Sequence, residues 1–310
     1  MIYILIILIS FATSAVLMPI LRKIGIKRGF CDQPDGNKLK IHKNPIPYLG
    51  GLGIFFGLIA GLIFSRLFHQ ISGLQAVGVI LGSIIILFLG FWDDLKWKKN
   101  SRPLIKLFCQ FLAGALIVFI LIKIGVDFKF SLNPIIGAFI AGFYIVGAMN
   151  AINMEDGMDG LAGGLTAISL IGFIILSITY QAIFPLAISL ALLGAVLGFL
   201  IYNFKPASIF MGDNGSHFLG FSLALLAIIF TGHPIYNFSH FAGPILIIGL
   251  PVFDAGWAII RRLGKGKSPF LGDRGHLYDK INQKGLSSKK TVLLCWLIQC
   301  ILVIIGIGIM

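Results

Sequence analysis

Charged residues are scarce in this sequence. Of its 310 residues, only 12% are charged, while 57% are hydrophobic and the mean hydropathy is +0.96. Soluble domains contain about a quarter charged residues, so this composition excludes an ordinary soluble protein. The hydrophobic residues form long runs almost without charge, and a run of about 18 or more such residues is typical of a transmembrane helix.

Cysteines are also few. Cys109, Cys295 and Cys300 lie in hydrophobic runs and Cys31 stands alone in a polar segment. This arrangement indicates neither a disulfide framework nor a cysteine metal site. The first hydrophobic run lacks the basic start and the small-residue cleavage site of a signal peptide, so we expect it to be retained as a helix.

Ten hydrophobic runs can be identified, each near the roughly 20 residues that a bilayer requires. Because backbone polar groups in lipid must be hydrogen-bonded internally, these runs predict helices rather than open strands. We expect an all-α integral membrane protein in which residues 1–310 form one polytopic domain. The expected spans are 2–21, 47–65, 75–92, 104–122, 133–150, 160–180, 183–201, 217–231, 239–260 and 291–309.

The charges fall mainly in the odd-numbered loops between these spans. Of the 25 Lys and Arg residues, all but Arg66, Lys123 and Lys129 lie there, so the positive-inside rule predicts cytoplasmic odd loops and both termini on the opposite side. All acids but Asp127 lie in the same loops or at adjoining helix ends, which that rule does not predict. We therefore expect a cytoplasmic site that uses carboxylates. Topology, anionic lipids and an anionic substrate explain the net charge of +13 better than nucleic-acid binding does.

The first of four polar patches on that side is Asp93-Asp94, at the end of the third run. Adjacent carboxylates at a membrane boundary repel each other unless they share a cation. The alternative is an interfacial turn flanked by the aromatic residues Trp92 and Trp97. Taken by itself, this pair favours neither interpretation.

The second patch follows the fifth run. Asn150, Asn153 and Asp156 are spaced by three residues, which places them on one face of a helix. Asp156 and Asp159 each precede a glycine, as in turns. A polar turn in which Asp159 caps the next helix is the alternative. It explains one acid and neither asparagine, so the patch favours a functional site.

The third patch runs from Asn203 to Ser216 and places Asp213 between two glycines before a predicted helix, with Phe210 just upstream. Helix N-termini and glycine-rich turns present N–H groups to anions. Mg²⁺ prefers one or two carboxylates together with substrate phosphate oxygens. The alternative is a simple helix cap formed by the Asp or the Ser.

The fourth patch is the basic ninth loop. Arginines suit diphosphate groups, and a histidine can assist them; the alternative is a loop that only sets topology. The candidate anion contacts are Arg261, Arg274 and His276, joined by Lys43 and Lys106 from the first and third loops.

Carboxylates for a cation, basic groups for phosphates and surrounding lipid-embedded helices together favour phosphoryl transfer, which needs mainly positioning and charge neutralisation. Two other classes stay open. An ion or solute transporter would concentrate ionisable groups near the bilayer midplane between inverted repeats, whereas these acids lie at helix ends and no convincing repeat is visible. A noncatalytic scaffold would leave the acids unexplained.

The motifs Asp93-Asp94, Asn150-x-x-Asn153-x-x-Asp156-Gly-x-Asp159-Gly-Leu, Phe210-Met-Gly-Asp213-x-Gly-Ser and Arg274-x-His276 resemble those of the polyprenyl-phosphate N-acetylhexosamine-1-phosphate transferases. That superfamily includes the phospho-MurNAc-pentapeptide translocase and GlcNAc-1-phosphate transferases. The match covers nearly the whole chain, in order.

The resemblance implies that a UDP-activated amino sugar and polyprenyl (undecaprenyl) phosphate give a polyprenyl-diphosphate sugar and UMP, with Mg²⁺ or alternatively Mn²⁺ as cofactor. It implies a multi-pass protein of the inner (cytoplasmic) membrane that starts a lipid-linked envelope glycan, and it leaves a homodimer open. The implied metal ligands are Asp213, Asp94 and Asn153, and the implied catalytic residues are Asp93, Asp94, Asp156 and Asp159. The implied substrate contacts are Lys43, Lys106, Asn150, Asn153, Asn203, Phe210 (near the uracil), Arg261, Arg274 and His276.

Two departures from the family's motifs narrow the expected branch of the family. Trp97 occupies the position of a third carboxylate found in many relatives, and His276 is single where relatives often carry a histidine cluster. The second departure argues against the muramyl-pentapeptide branch. It leaves enzymes that start O-antigen, lipopolysaccharide or other surface glycans, with the sugar itself open.

Overall fold

The computed structural model describes residues 1–34, 44–68, 71–97, 102–123, 134–231 and 238–310. These residues are almost entirely helical, apart from a two-residue antiparallel pair in which β1 (Cys31–Asp32) lies beside β2 (Ile46–Pro47). The helices are α1 (Ile2–Arg28), α2 (Gly50–Leu67), α3 (Gly73–Trp92), α4 (Pro103–Lys123), α5 (Pro134–Glu155), α6 (Leu161–Thr179), α7 (Ile183–Asn203), α8 (Gly212–Thr231), α9 (Phe238–Ile248), α10 (Leu250–Leu263), α11 (Leu277–Gln283) and α12 (Ser288–Gly308). A π-helical turn, Asp93–Trp97, continues α3.

The all-α membrane architecture is confirmed. Within the described ranges, nine helices are long and apolar enough to cross a bilayer, and α9 with α10 forms a bent pair that makes at most ten. The protein is therefore a multi-pass membrane protein. The sidedness of the loops and termini, and the single-domain assignment, stay predictions.

The prediction of one continuous helix over 239–260 is wrong. The chain bends by 87° between α9 and α10, at Gly249, whose φ of +37° is a backbone conformation that side chains disfavour. Gln299 of α12 compensates for the break. Its amide donates to the Ile247 carbonyl at 2.7 Å, and its oxygen accepts from the Leu250 N–H at 2.9 Å. A side chain distant in sequence thus stabilises a bend that hydropathy cannot reveal.

Helix α8 lies at the centre of the fold and is buried along nearly all its length. A helix that is apolar on all sides is suited to such a position. Close approach to its neighbours depends on glycine: a Cβ on Gly90 of α3 would lie 2.5 Å from the Asn214 Cα, and one on Gly51 of α2 would lie 2.4 Å from the Gly215 Cα. Consequently, the end of α3 and the start of α2 both contact the start of α8.

The segments that carry the four polar patches meet at one end of this bundle. The loop after α5 contacts the loop after α7 through Asp159 and Ala207. The end of α5 also contacts the segment before α12, where the Tyr278 hydroxyl donates to the Met154 carbonyl at 3.4 Å. The fifth, seventh and ninth loops of the sequence prediction therefore meet in one region.

Candidate active site

The centre of this region is a pair of carboxylates beside one lysine. Asp93 is buried at the end of α3 and forms an ion pair with Lys106 from the first turn of α4. Its carboxyl group also lies in hydrogen-bond contact with that of Asp213, in the first turn of α8. Two predicted catalytic or metal residues and one predicted phosphate contact are thus brought together.

Asp94, the neighbour of Asp93, is turned toward the backbone of α8. Its carboxylate accepts from the Asp213 N–H at 3.2 Å, from the Asn214 N–H at 3.3 Å and from the Asn214 side-chain amide at 3.0 Å. The first N–H groups of a helix have no partner within the helix, and a carboxylate placed there satisfies them and complements the helix dipole. Asp94 therefore fixes the position of Asp213; its predicted role as a ligand and catalytic group stays a prediction.

The asparagines of α5 support the same centre. Asn153 donates to Asp213 Oδ1 at 2.8 Å and to the Ser216 hydroxyl at 2.9 Å. One turn earlier, Asn150 donates to Gln110 Oε1 at 2.8 Å. The predicted helical face is confirmed for Asn150 and Asn153, which are directed toward α4 and α8. It is wrong for Asp156, because α5 ends at Glu155 and Asp156 lies in the turn that follows.

These residues fit a divalent cation. Asp93 and Asp213 repel each other when both are ionised, and a shared cation would remove that repulsion. A hard cation takes oxygen ligands. Asp93 and Asp213 offer carboxylate oxygens, and the Asn153 side chain offers an amide oxygen, so the donor chemistry is that of Mg²⁺ or Mn²⁺.

Three other predicted site residues form hydrogen bonds between loops. Asp159 accepts from the Ala207 N–H at 3.0 Å. Asn203 accepts from the Gly160 N–H and donates to the Ile209 carbonyl, each at 3.0 Å. Phe210 is bonded through its backbone to Pro47 and Gly50. The proposed Asp159 cap of α6 is not formed, since Gly160 is the N-cap; the predicted catalytic and substrate roles of these three residues stay predictions.

A pocket of about 720 Å³ adjoins the carboxylate centre. Its polar wall includes half of the predicted site residues, while Leu107, Phe111, Phe143 and Val146 of α4 and α5 form an apolar wall. The predicted residues that line it are Asp93, Lys106, Asn150, Asn153, Asp156, Arg274 and His276. A molecule with both a charged and a hydrocarbon part matches these two walls.

At the basic side of the pocket, two arginines share one acid; Arg262 lines the pocket, and Arg261 is not among the lining residues. Arg261 forms a two-point contact with Asp273, and Arg262 donates to the same carboxylate at 2.9 Å. The hydrogen bonds from Arg261, followed by those from Arg262, hold the pKa of Asp273 well below its ordinary value. Arg262 also donates to the Pro269 carbonyl at 2.9 Å, which fixes the loop after α10 against the helix.

Several residues of this region were not among the sequence candidates. Arg262, Tyr278 and Asp273 line the pocket, and Glu155 and Asp254 lie buried behind His276. The sequence did contain a signal for Asp254: although it lies toward the end of the run 239–260, it is the one charged residue in that run, and an ionisable residue within a membrane span indicates function. Lys43, a predicted phosphate contact, lies outside the described residues.

Comparison with known proteins gives a consistent set of similarities. Residues 76–231 match the family model described as glycosyl transferase family 4. The chain is 35% identical over 299 residues to a probable undecaprenyl-phosphate N-acetylglucosaminyl 1-phosphate transferase of Bacillus subtilis, covering 94% of this chain and 80% of that protein. It is 31% identical to a decaprenyl-phosphate N-acetylglucosaminephosphotransferase of Mycobacterium leprae, covering 83% and 71%. It is 30% identical to an undecaprenyl-phosphate alpha-N-acetylglucosaminyl 1-phosphate transferase of Escherichia coli K12, covering 92% and 78%.

Proposed function

We propose that this chain, which belongs to glycosyl transferase family 4, transfers an N-acetylhexosamine 1-phosphate from a UDP-sugar to polyprenyl phosphate and releases UMP. The observation that carries the proposal is the contact of Asp93 with both Asp213 and Lys106 beside a pocket that has one polar and one apolar wall. The relatives named above are transferases of N-acetylglucosamine phosphate to undecaprenyl or decaprenyl phosphate.

Asp213, Asp93 and Asn153 would hold the divalent cation. When bound, Mg²⁺ neutralises phosphate charge and orients the reacting groups. Lys106 supplies a cation for the acceptor phosphate, and Asp93 holds that ammonium group in place through their ion pair. A phosphate monoester has a second pKa of about 6, so the acceptor is already largely ionised near neutral pH. Positioning, rather than proton removal, is then the main task of these side chains.

The two walls of the pocket would bind the two substrates. The apolar wall of α4 and α5 suits the first isoprene units of the lipid, while Arg274 and Arg262 would face the diphosphate of the sugar nucleotide. Because one substrate is lipid-bound and the other is soluble, the site belongs at the membrane surface. We place it on the cytoplasmic face of the inner membrane, where the product would start a lipid-linked envelope glycan such as O-antigen.

The test is release of UMP by purified protein given undecaprenyl phosphate, Mg²⁺ and a panel of UDP-N-acetylhexosamines that includes UDP-GlcNAc. We expect UMP release with at least one donor, its loss on chelation of the metal, and its loss in Asp213→Asn. The matched control is Ser222→Ala on the same helix, which removes only a hydroxyl bonded to the Phe218 carbonyl. Absence of UMP with every donor, with or without metal, would refute the transferase proposal and favour an ion or solute transporter.

A further inference from the structure

Behind the basic wall of the pocket lies a chain of four buried polar groups, of which the proposed function uses only Arg262. Its members are Glu155 at the end of α5, Asp254 in α10, His276 before α11, and Arg262 at the end of α10. Their exposed fractions are 1%, 7%, 5% and 5%. Buried polar groups are costly unless they are paired, so their arrangement needs a physical reason.

The partners of His276 determine its protonation pattern. Its Nε2 atom lies 3.3 Å from Arg262 Nη2, and a guanidinium group can only donate hydrogen bonds. Nε2 must therefore accept, which places the ring proton on Nδ1. The Nδ1–H group donates to Asp254 Oδ2, while Asp254 Oδ1 accepts from the Leu277 N–H at 2.9 Å.

The remaining contacts hold this arrangement in place. The ring of Tyr278 stacks on His276 with the two planes 6° apart and the centroids at 5.6 Å. On the far side of Asp254, the carboxyl group of Glu155 lies in hydrogen-bond contact with the Asp254 carboxyl group. The imidazole is thus fixed at both nitrogens and on one face.

We propose that Asp254 is a positioning residue: it holds His276 as the Nδ1–H tautomer, so that Nε2 accepts from Arg262 and keeps that guanidinium directed at the pocket. Glu155 supports the position of Asp254. The catalytic consequence rests on the proposed function, because an arginine held at this wall would contact the diphosphate of the donor. The tautomer itself does not depend on that function.

A bound metal is the competing explanation for the same three side chains. Glu155, Asp254 and His276 each offer a ligand atom, and these atoms lie within 4.8 Å of one another. However, His276 Nδ1 carries the proton that it donates to Asp254, and Nε2 faces the Arg262 guanidinium, so neither ring nitrogen is available as a ligand. The geometry therefore favours the hydrogen-bonded chain over a metal site, and measurements of the histidine tautomer and of bound metal distinguish the two.

The direct test is nitrogen NMR of protein labelled with ¹⁵N-histidine, with the His276→Gln variant used to identify the His276 signals. We expect a neutral ring with a protonated Nδ1 and an unprotonated Nε2. An Nε2–H tautomer would overturn the proposal. So would about one equivalent of bound Zn²⁺ or Mn²⁺ that survives Asp213→Asn and disappears in Asp254→Asn. These readouts need no activity, so they are interpretable even if no UDP-sugar is a substrate.

The functional test is a double-mutant cycle on UMP release. In Asp254→Asn, either orientation of the amide leaves one donor facing another donor, so kcat/KM should fall by about ten- to a hundredfold, the effect of one lost charge-assisted hydrogen bond. In the His276→Gln background the same substitution should change kcat/KM by less than about twofold, because Asp254 acts through His276. Equal losses in both backgrounds would overturn the positioning role. Ser169→Ala is the control, since it removes another buried hydrogen bond, to Gln299, away from the pocket.

Discussion

Substitution of Asp93 and of Asp94 by Asn, one at a time, should separate an effect on stability from an effect on catalysis. Asp94 accepts three hydrogen bonds from the first turn of α8. An Asn at this position has one oxygen, and its best orientation keeps the two bonds from Asn214 and leaves the Asp213 N–H facing an amide donor. Within the described part of the chain, the partners of the Asp93 carboxyl group are the side chains of Lys106 and Asp213.

The magnitudes follow from these contacts. A buried N–H without a partner costs about 1–3 kcal/mol, and removal of a helix cap costs about 0.5–2 kcal/mol. Asp94→Asn should therefore destabilise the protein by about 2 kcal/mol, or about 4–8 °C in Tm at about 2–4 °C per kcal/mol. Asp93→Asn removes an ion pair but also the repulsion from Asp213, so we expect a Tm within about 2 °C of the wild type.

The assay is thermal unfolding in one detergent, combined with UMP release measured well below the lower Tm. Asp94→Asn should keep measurable activity at that temperature, because Asp213 remains on its helix, whereas Asp93→Asn should lose activity while it remains folded. Equal Tm losses in the two variants, or full stability of Asp94→Asn, would refute the assignment of Asp94 to the helix start.

Three further predictions test other parts of the site. Lys106→Met should raise the KM for polyprenyl phosphate by about tenfold or more, the effect of losing one charge-assisted contact, with the KM for the UDP-sugar as the internal control. Gly90→Ala should abolish UMP release, since its Cβ would lie 2.5 Å from the α8 backbone, whereas Gly142→Ala, whose Cβ would have no neighbour within 4 Å, should leave it unchanged. The two adjacent arginines hold the pKa of Asp273 below its ordinary value. The ionised Asp273 should therefore stabilise the loop fully above the unfolded-state pKa of about 3.9, and this stabilisation should be lost as the pH falls through the lower pKa of the folded state. Amide hydrogen exchange in residues 264–275, relative to its intrinsic rate, should become faster at acid pH in the wild type, and in Asp273→Asn it should already be faster at neutral pH.

Local patterns in the sequence were sufficient to predict the membrane helices and part of the site. The three-residue spacing of Asn150 and Asn153 predicted one helical face, and the structure places both on the side of α5 that contacts the centre. Asp213 was predicted to lie just before a helix beginning at 217, whereas α8 begins at Gly212 and includes Asp213 in its first turn. Residue spacing and helix-end signals depend on residues close together in the chain, so they can be recognised from the sequence alone.

Roles that depend on contacts between distant segments could not be predicted in the same way. Asp93 and Asp94 are adjacent in the chain, yet the π-helical turn directs one to Lys106 and the other to the backbone of α8. That difference requires the close approach of α3 and α8 at Gly90, about 120 residues away in sequence. Nor does any local signal pair Asn203 with Gly160, because their hydrogen bond is set by the packing of α6 on α7.

The distribution of charge around the pocket gives a physical reason for its use of a metal together with arginines. The central group has two carboxylates for one ammonium, whereas the wall group has two guanidiniums for one carboxylate, Asp273. Each group is nearly balanced, which limits the cost of holding charges away from water before substrates bind. The remaining negative charge at the centre attracts a cation, and the remaining positive charge at the wall attracts phosphate. Under the proposed function, a metal-bound diphosphate complements both groups at once, and neither free substrate phosphate nor the cation alone would do so.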